Sequence, residues 1–266
     1  MITELSGKKV SPLGVGTWGI GGWIFPDKKN DAREIASLRF ALDNGINVID
    51  TAEIYGRGHA EEIVAEAITG RDRESLHITS KVFPTHLNRN GINKAVQNSL
   101  MRLKMKYIDL YLIHWPNPVA NMREVMSTME DLVDKGLIRT FGVSNFSVED
   151  MSNAMSYLKK YKIEANQIEY SIMKKDADVD VVPFCVRNRI KIIAYTPLAK
   201  GEVATFKPVV EISKKIGKTP IQVALNYLMK NSLPIPKAGR AEHMKEILGS
   251  VGWELSDNDY KALRSA

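Results

Sequence analysis

Asp50, Lys81 and His114 each stand where an apolar run stops, and Tyr55 follows Asp50 on the same connecting segment. A carboxylate, an ammonium, an imidazole and a phenol brought to one place can hold, accept and deliver protons. A lysine in such a place can also form a Schiff base with a carbonyl compound. Ser144, Asn145, Gln167, Tyr195 and Lys237 close further apolar runs in the same way. Any one of these has a plain explanation, since a strand must end in something polar. Their recurrence at run after run makes the set a candidate site, because α/β barrels carry their chemistry at the C-terminal ends of the strands.

The elements that would position them are legible as alternating patterns. The strand candidates are Leu13–Gly16, Asn47–Asp50, His77–Lys81, Asp109–His114, Thr140–Val143, Asn166–Glu169, Lys191–Tyr195 and Leu233–Lys237. Stretches such as Leu110-Tyr111-Leu112-Ile113 and Ile192-Ile193-Ala194 are continuously apolar, as strands covered on both faces are. Helical stripes lie between them. Ile35, Leu38 and Leu42 share one face, with Gly45 as a stop. Ile92, Ala95, Val96, Leu100 and Leu103 form a second stripe, Met122 to Val133 a third, and Met151, Ala154, Met155 and Leu158 a fourth. The methionines in these stripes read as core packing. Thr219-Pro220 reads as an N-cap followed by proline at the first helical position.

Strand and helix alternate without a linker-like or low-complexity stretch. The expectation is one domain over residues 1–266: an α/β fold of the (β/α)8 TIM-barrel type, with an open doubly wound sheet as the alternative. Two additions are expected, an N-terminal β-hairpin around Ser6-Gly7-Lys8-Lys9 and a C-terminal helix from about Ser256.

The 266 residues are 44% hydrophobic and 26% charged, which suits a large core and argues against disorder. A lone cysteine, Cys185, leaves no disulfide framework within the chain and fits a reducing compartment. The opening MITELSGKKV lacks a signal-peptide pattern, and no apolar run is long enough to span a bilayer, so a cytoplasmic location is expected. The net charge of +6 is spread out, its densest cluster being Lys159, Lys160 and Lys162 on an expected exposed helix end. That favours a small anionic ligand over nucleic acid or a membrane surface.

Some motifs mislead. Gly14-Val15-Gly16-Thr17-Trp18-Gly19 has the GxGxxG spacing, but such a loop must open straight into a helix that receives a pyrophosphate. Here Ile20-Gly21-Gly22-Trp23 and then Pro26 follow, so a glycine-rich turn at a barrel mouth is the better reading. Gly217-Lys218-Thr219 resembles the end of a P-loop, yet Ile212 stands where its first glycine belongs. The histidines show no metal-ligand spacing and there is one cysteine, so no metal site is expected.

Five motifs in register resemble the aldo-keto reductase family. They are Asp50-Thr51-Ala52-Glu53-Ile54-Tyr55-Gly56 with Gly58 and Glu61, Ile78-Thr79-Ser80-Lys81-Val82, Asp109 to Pro116, Gly142-Val143-Ser144-Asn145-Phe146, and Asn166-Gln167-Ile168-Glu169-Tyr170. The resemblance runs from Leu13 to about Leu248. It implies a reductase that moves hydride from NADPH to an aldehyde or ketone, reversibly. Tyr55 would give the proton, with its pKa lowered by Lys81; Asp50 would hold Lys81, and His114 would orient the substrate oxygen.

It also implies a cofactor site. Ser144, Asn145 and Gln167 would bind the nicotinamide carboxamide, and Tyr195 would stack on the ring. Leu198, Lys200 and Gly201 would follow the pyrophosphate. Lys237, Ala238, Arg240, His243 and Glu246 would line the phosphate and adenine end. His243 stands where the family usually has arginine, and Ile247 replaces its usual asparagine. Arg240 could serve instead as the phosphate clamp. NADP is therefore the expected cofactor, with NADH use left open. Trp18, Trp23 and Trp115 are expected to line the pocket. The short segment after His114 and the absence of a long C-terminal loop imply an open site, broad specificity and an aldehyde, ketone or sugar carbonyl as partner of a monomeric enzyme. The alternative is a cofactor-binding regulatory subunit, similar to channel-associated β subunits, with little turnover.

Overall fold

The computed structural model describes residues 1–266. An antiparallel ribbon, β1 (Glu4–Leu5) and β2 (Lys8–Lys9), precedes the main sheet. That sheet holds eight parallel strands in sequence order: β3 (Val15–Gly16), β4 (Val48–Asp50), β5 (His77–Val82), β6 (Ile108–Ile113), β7 (Ile138–Ser144), β8 (Ala165–Glu169), β9 (Lys191–Tyr195) and β10 (Leu233–Pro234). Its two edges meet. The Gly14 and Gly16 N–H groups donate to the Pro234 and Pro236 carbonyls, each at 3.0 Å. The bonds run one way only, because proline has no N–H to return. The prolines also explain why β10 is shorter than the expected Leu233–Lys237 run. The open-sheet alternative is excluded, and the fold is the expected barrel.

Strand alternation then does the positioning. Val48, Leu110, Leu112, Ala165, Ile193, Leu233 and Ile235 pack together with Leu5 and Val10 inside the barrel. One step along the same inward series come Asp50, His114, Gln167, Tyr195 and Lys237, with Lys81 two residues beyond Thr79. The alternate positions, such as Ile49, Ile78, Tyr111 and Ile192, join the larger core beneath the helices.

Ser6 and Gly7, both at positive φ, make the tight turn between β1 and β2. The ribbon closes the N-terminal end of the barrel. Leu5 is fully buried, and the Ser6 hydroxyl lies 2.6 Å from Thr140 Oγ1 and 3.1 Å from His77 Nε2. Lys8 reaches the buried Asp109 at 2.8 Å, and Arg73 shares it. Burial pushes His77 down to about 4, so this floor holds a neutral imidazole.

Ten helices surround the sheet: α1 (Asp31–Asp43), α2 (His59–Ile68), α3 (Arg89–Leu103), α4 (Met122–Asp134), α5 (Val148–Ser156), α6 (Val181–Asn188), α7 (Lys207–Ile216), α8 (Pro220–Met229), α9 (Ala241–Leu248) and α10 (Asp257–Ser265). Met126, Met129 and Met151 are wholly buried, as the core reading expects. Thr219 caps α8 in a reciprocal box with Gln222, and Ser256 caps the C-terminal α10. Two points differ from expectation. A third addition, α7, sits between β9 and α8, buried through Val209 and Ile212. Lys159, Lys160 and Lys162 lie past the end of α5, with Lys160 paired to Asp134. No helix is long and apolar enough to cross a membrane.

The seam leaves little space at its glycines. A Cβ on Gly16 would lie 2.8 Å from the Ile235 carbonyl oxygen, whereas one on Gly14 would meet only the side chains of Ile235 and Val48, at 3.0 and 3.1 Å. Gly16→Ala is therefore expected to cost about 1–3 kcal/mol, and Gly14→Ala less, because side chains yield more readily than backbone. Denaturant titration of both variants checks this; equal losses would contradict the seam geometry.

Candidate active site

Lys81 ends the inward series on β5 and is wholly buried. Its ammonium has three N–H donors and finds three acceptors: Asp50 Oδ1 at 2.6 Å, the Thr51 carbonyl at 2.9 Å and Tyr55 Oη at 3.1 Å. Burial by itself would lower the Lys81 pKa, but Asp50 and Tyr55 outweigh it and the pKa lies above the ordinary lysine value. Lys81 is thus a fixed cation. Tyr55 feels opposing influences as well. Burial raises its pKa, Lys81 lowers it and Asp50 raises it, and the result lies above the usual phenol value. The expected lowering by Lys81 is present, but desolvation is larger, and the hydroxyl stays protonated.

His114, on the neighbouring strand end, is 3% exposed. Burial, aided by the Lys81 charge, pushes it down to about 2, so it is a neutral imidazole throughout the useful pH range. Its Nδ1 is buried without a partner. The ring stacks on Trp115 at 3.9 Å and stands edge-on to Tyr55 at 5.6 Å. Trp18 lies 4.9 Å from Tyr55 and 5.3 Å from Trp23. Trp18, Trp23 and Trp115 are 46, 55 and 40% exposed and cluster with Tyr55 and His114.

Across the barrel, Gln167 Nε2 donates to Asp50 Oδ2 at 2.7 Å. Asn145 Nδ2 donates to the His114 carbonyl at 3.1 Å and to Ser144 Oγ at 3.0 Å, while Tyr195 Oη donates to Asn145 Oδ1 at 2.8 Å. These groups leave unused the Ser144 hydroxyl donor, the second N–H of Gln167 and carbonyl lone pairs on Asn145 and Gln167. A primary carboxamide, with one C=O and two N–H bonds, can meet the Ser144 donor and the two carbonyl acceptors. The residues present fit a nicotinamide in that pairing.

The segment after β9 is held in unusual backbone. Thr196, Ala199 and Lys200 have φ of 50, 44 and 55°, and Gly201 follows at 102°. Asn145 stands at 61°. Non-glycine residues adopt this region at a cost of about 1–3 kcal/mol each, and such positions gather at functional sites. Leu198 is partly buried at the start of that segment. Beyond β10, the Lys237 ammonium lies 4.9 Å over the Trp23 ring. Ala238 is buried, its carbonyl accepting from Ser37. Arg240 precedes α9, with His243 exposed and Glu246 partly buried on its first turns. The first N–H groups of α9 have no helical acceptor. The buried group at Lys81 is linked to the exposed Lys237 through Tyr55, Trp18 and Trp23, while Leu198, Lys200 and Gly201 lie on the segment after β9 and Arg240, His243 and Glu246 lie at and along α9.

Sequence reasoning missed several supports. Phe83 lies 6.4 Å from His114 and joins the wall. Glu61, quoted above only as part of a motif, is wholly buried and accepts from Ser80 Oγ and from Arg102 Nε, each at 2.6 Å. Arg102 also packs on Gly58, where a Cβ would lie 2.4 Å from its Nε. Gly56, Arg57 and Gly58 all turn through positive φ after Tyr55. Glu61 therefore ties this turn to Ser80, the neighbour of Lys81. No periodicity marks Arg102, which lies outside the apolar stripe of α3. Arg102→Met should cost about 3–5 kcal/mol by leaving Glu61 buried without its cation. Adding Glu61→Gln should recover most of it. Chemical denaturation tests this, and a single-variant loss below about 0.5 kcal/mol would refute the support role.

Residues 12–266 match the Aldo/keto reductase family. The chain is 32% identical to methylglyoxal reductase YeaE of Escherichia coli over 261 residues, which are 96% of this chain and 90% of that protein. Among solved structures, the thermostable aldo-keto reductase Tm1743, crystallised with the inhibitor epalrestat, superposes with a TM-score of 0.94 at 41% identity, covering 100% of this chain and 99% of the other. An aldo/keto reductase from Klebsiella pneumoniae in complex with NADP and acetate gives 0.90 at 32% identity, covering 97 and 92%.

Proposed function

The chain belongs to the aldo/keto reductase family, and from that premise we propose that it reduces aldehydes and ketones with NADPH, Tyr55 delivering the proton. It is an NAD(P)H-dependent oxidoreductase. The observation that carries the proposal is the Lys81 ammonium, bonded at once to the Asp50 carboxylate and the Tyr55 hydroxyl at the barrel mouth. When bound, the cofactor supplies hydride from its nicotinamide ring. Every other task falls to side chains described above.

Tyr55 gives its hydroxyl proton to the carbonyl oxygen of the substrate. Its raised pKa keeps that proton in place until a developing alkoxide, a far stronger base, arrives. Lys81 then steadies the phenolate that remains, and Asp50 keeps Lys81 charged and in line. In the reverse direction the same phenolate takes the proton of an alcohol. His114, neutral, offers a hydrogen bond to the substrate oxygen without competing as an acid. Ser144, Asn145 and Gln167 would hold the carboxamide, and Tyr195 would stack on the ring. Leu198, Lys200 and Gly201 would hold the pyrophosphate, and Ala238 and Glu246 would bind the far end of the cofactor.

NADP preference is supported by Lys237, Arg240 and His243, which stand near the α9 N-terminus and have no carboxylate partner. Arginine in place of the usual later clamp suits phosphate geometrically. The open aromatic mouth supports a broad range of small carbonyl compounds. Relatives named methylglyoxal reductases put small oxoaldehydes first among those to test. We read the chain as one monomeric domain. The free, buried Cys185 accords with a cytoplasmic setting.

A panel of aldehydes, ketones and sugar carbonyls, assayed with NADPH and NADH, tests the reading. Higher kcat/KM with NADPH is expected, and equal values would remove the preference. Tyr55→Phe should lower kcat about 10²–10⁴-fold while NADPH still binds. An undiminished rate would overturn Tyr55 as donor, and NADPH binding without turnover in the unaltered protein would favour a regulatory subunit. The reduction rate should show no ionisation of His114 between about pH 5 and 9, since its pKa lies far below that window.

A further inference from the structure

We propose that Gln167 is a positioning residue of the proton relay, holding Asp50, and through it Lys81 and Tyr55, in the arrangement for proton transfer. This rests on the reading of Tyr55 as proton donor and goes beyond a role in gripping the cofactor.

Gln167 stands on β8 and Asp50 on β4, so their contact crosses the barrel interior. Both are almost wholly buried, at 2 and 3% exposure. Asp50 has two carboxylate oxygens and each has one partner. Oδ1 takes the Lys81 ammonium at 2.6 Å and Oδ2 takes Gln167 Nε2 at 2.7 Å. No other side chain reaches Oδ2. Removing the amide would therefore leave half of a buried carboxylate bare, and its charge would bear more heavily on the groups beside it.

The contact also fixes which way Gln167 faces. An ionised carboxylate only accepts, so it admits the NH₂ end of the amide and repels the oxygen. Gln167 Oε1 is consequently the end left for a ligand, and no group of the protein donates to it. A donor arriving at Oε1 polarises the amide and strengthens the N–H bond to Asp50 on its other side, as linked hydrogen bonds do. Occupation of the nicotinamide pocket would thus be felt at Asp50, which is the one carboxylate bonded to Lys81. Gln167 links the grip on one reactant to the proton source for the other.

The direction of the effect follows. The Asp50 charge raises the Tyr55 pKa, and the Gln167 hydrogen bond stabilises that charge and draws it toward Oδ2. Without Gln167, Tyr55 should hold its proton to higher pH. Alcohol oxidation requires the phenolate, so its rate rises with pH through the Tyr55 ionisation. In Gln167→Met this rise should move up by roughly half a unit to one unit. Gln167→Asn, one methylene shorter and still an amide, retreats from Asp50 and should move it the same way if the Met variant fails to fold. Ser144→Ala, which removes a proposed carboxamide contact but touches neither Asp50 nor Lys81, should raise the KM for NADP without moving the rise.

The pH–rate profile of alcohol oxidation at saturating NADP is the measurement. A raised KM for NADP with the rise unmoved in both Gln167 variants would overturn the relay role and leave Gln167 a cofactor contact only. Failure of the underlying reading looks different: the rise would persist in Tyr55→Phe.

Discussion

A lysine ammonium with no solvent exposure sits at the end of a barrel core built of aliphatic side chains. Such a charge persists only if each N–H finds an acceptor and an opposite charge stands close by. Lys81 obtains all of this from the single segment Asp50–Tyr55: a carboxylate, the Thr51 carbonyl and a phenol. The requirement reaches further. The turn after Tyr55 must double back through three residues at positive φ, and Glu61 with Arg102 braces that turn from behind. Asp50 must itself be satisfied on its second oxygen, which draws in Gln167 from the far side. The site is less a row of independent strand ends than a set of consequences of one buried charge.

Burial acts in opposite senses on neighbouring groups. The same desolvation drives His114 to a neutral base, holds the Tyr55 proton on and raises the Asp50 pKa against the pull of Lys81, while at Lys81 the attraction of Asp50 at 2.6 Å outweighs it. One cation, one proton-bearing phenol and one uncharged imidazole therefore coexist within a few ångströms. The Lys81 charge contributes to this separation, since it disfavours a second cation at His114. Strain is concentrated at the same end of the barrel, where Asn145, Thr196, Ala199 and Lys200 occupy left-handed backbone. The cores on both sides of the sheet offset that cost.

Much of this was legible because β-structure has a period of two. Runs such as His77–Val82 announce a strand, and a charged residue in the inward series announces a site. Asp50, Lys81 and His114 declare themselves in that way, and the motifs around them carry the family resemblance. The supports did not declare themselves. Arg102 looks like any solvated helix residue, and only the path of α3 past Gly58 reveals its task. The Gln167–Asp50 bond joins residues 117 positions apart, and no local pattern encodes a contact across a closed barrel. The net Tyr55 shift is not legible for a related reason: the Lys81 effect follows from residue type, whereas desolvation depends on the completed enclosure. Helix α7 escaped notice because a short addition between β9 and α8 breaks the simple alternation of strand and helix.

Two lysines at strand ends show how enclosure decides chemistry. Lys81 has every N–H committed and its pKa raised, so it lacks the free lone pair that attack on a carbonyl carbon to form a Schiff base would need. Its saturation equally prevents it from binding a further anion. Lys237 is exposed and has only the face of Trp23 for company, with Arg240 and the first amides of α9 nearby. An ammonium so placed keeps donors to spare and gives up little on meeting a phosphate. The same residue type, at corresponding positions in the inward series, is thus suited to proton chemistry where it is enclosed and to anion recognition where it is not.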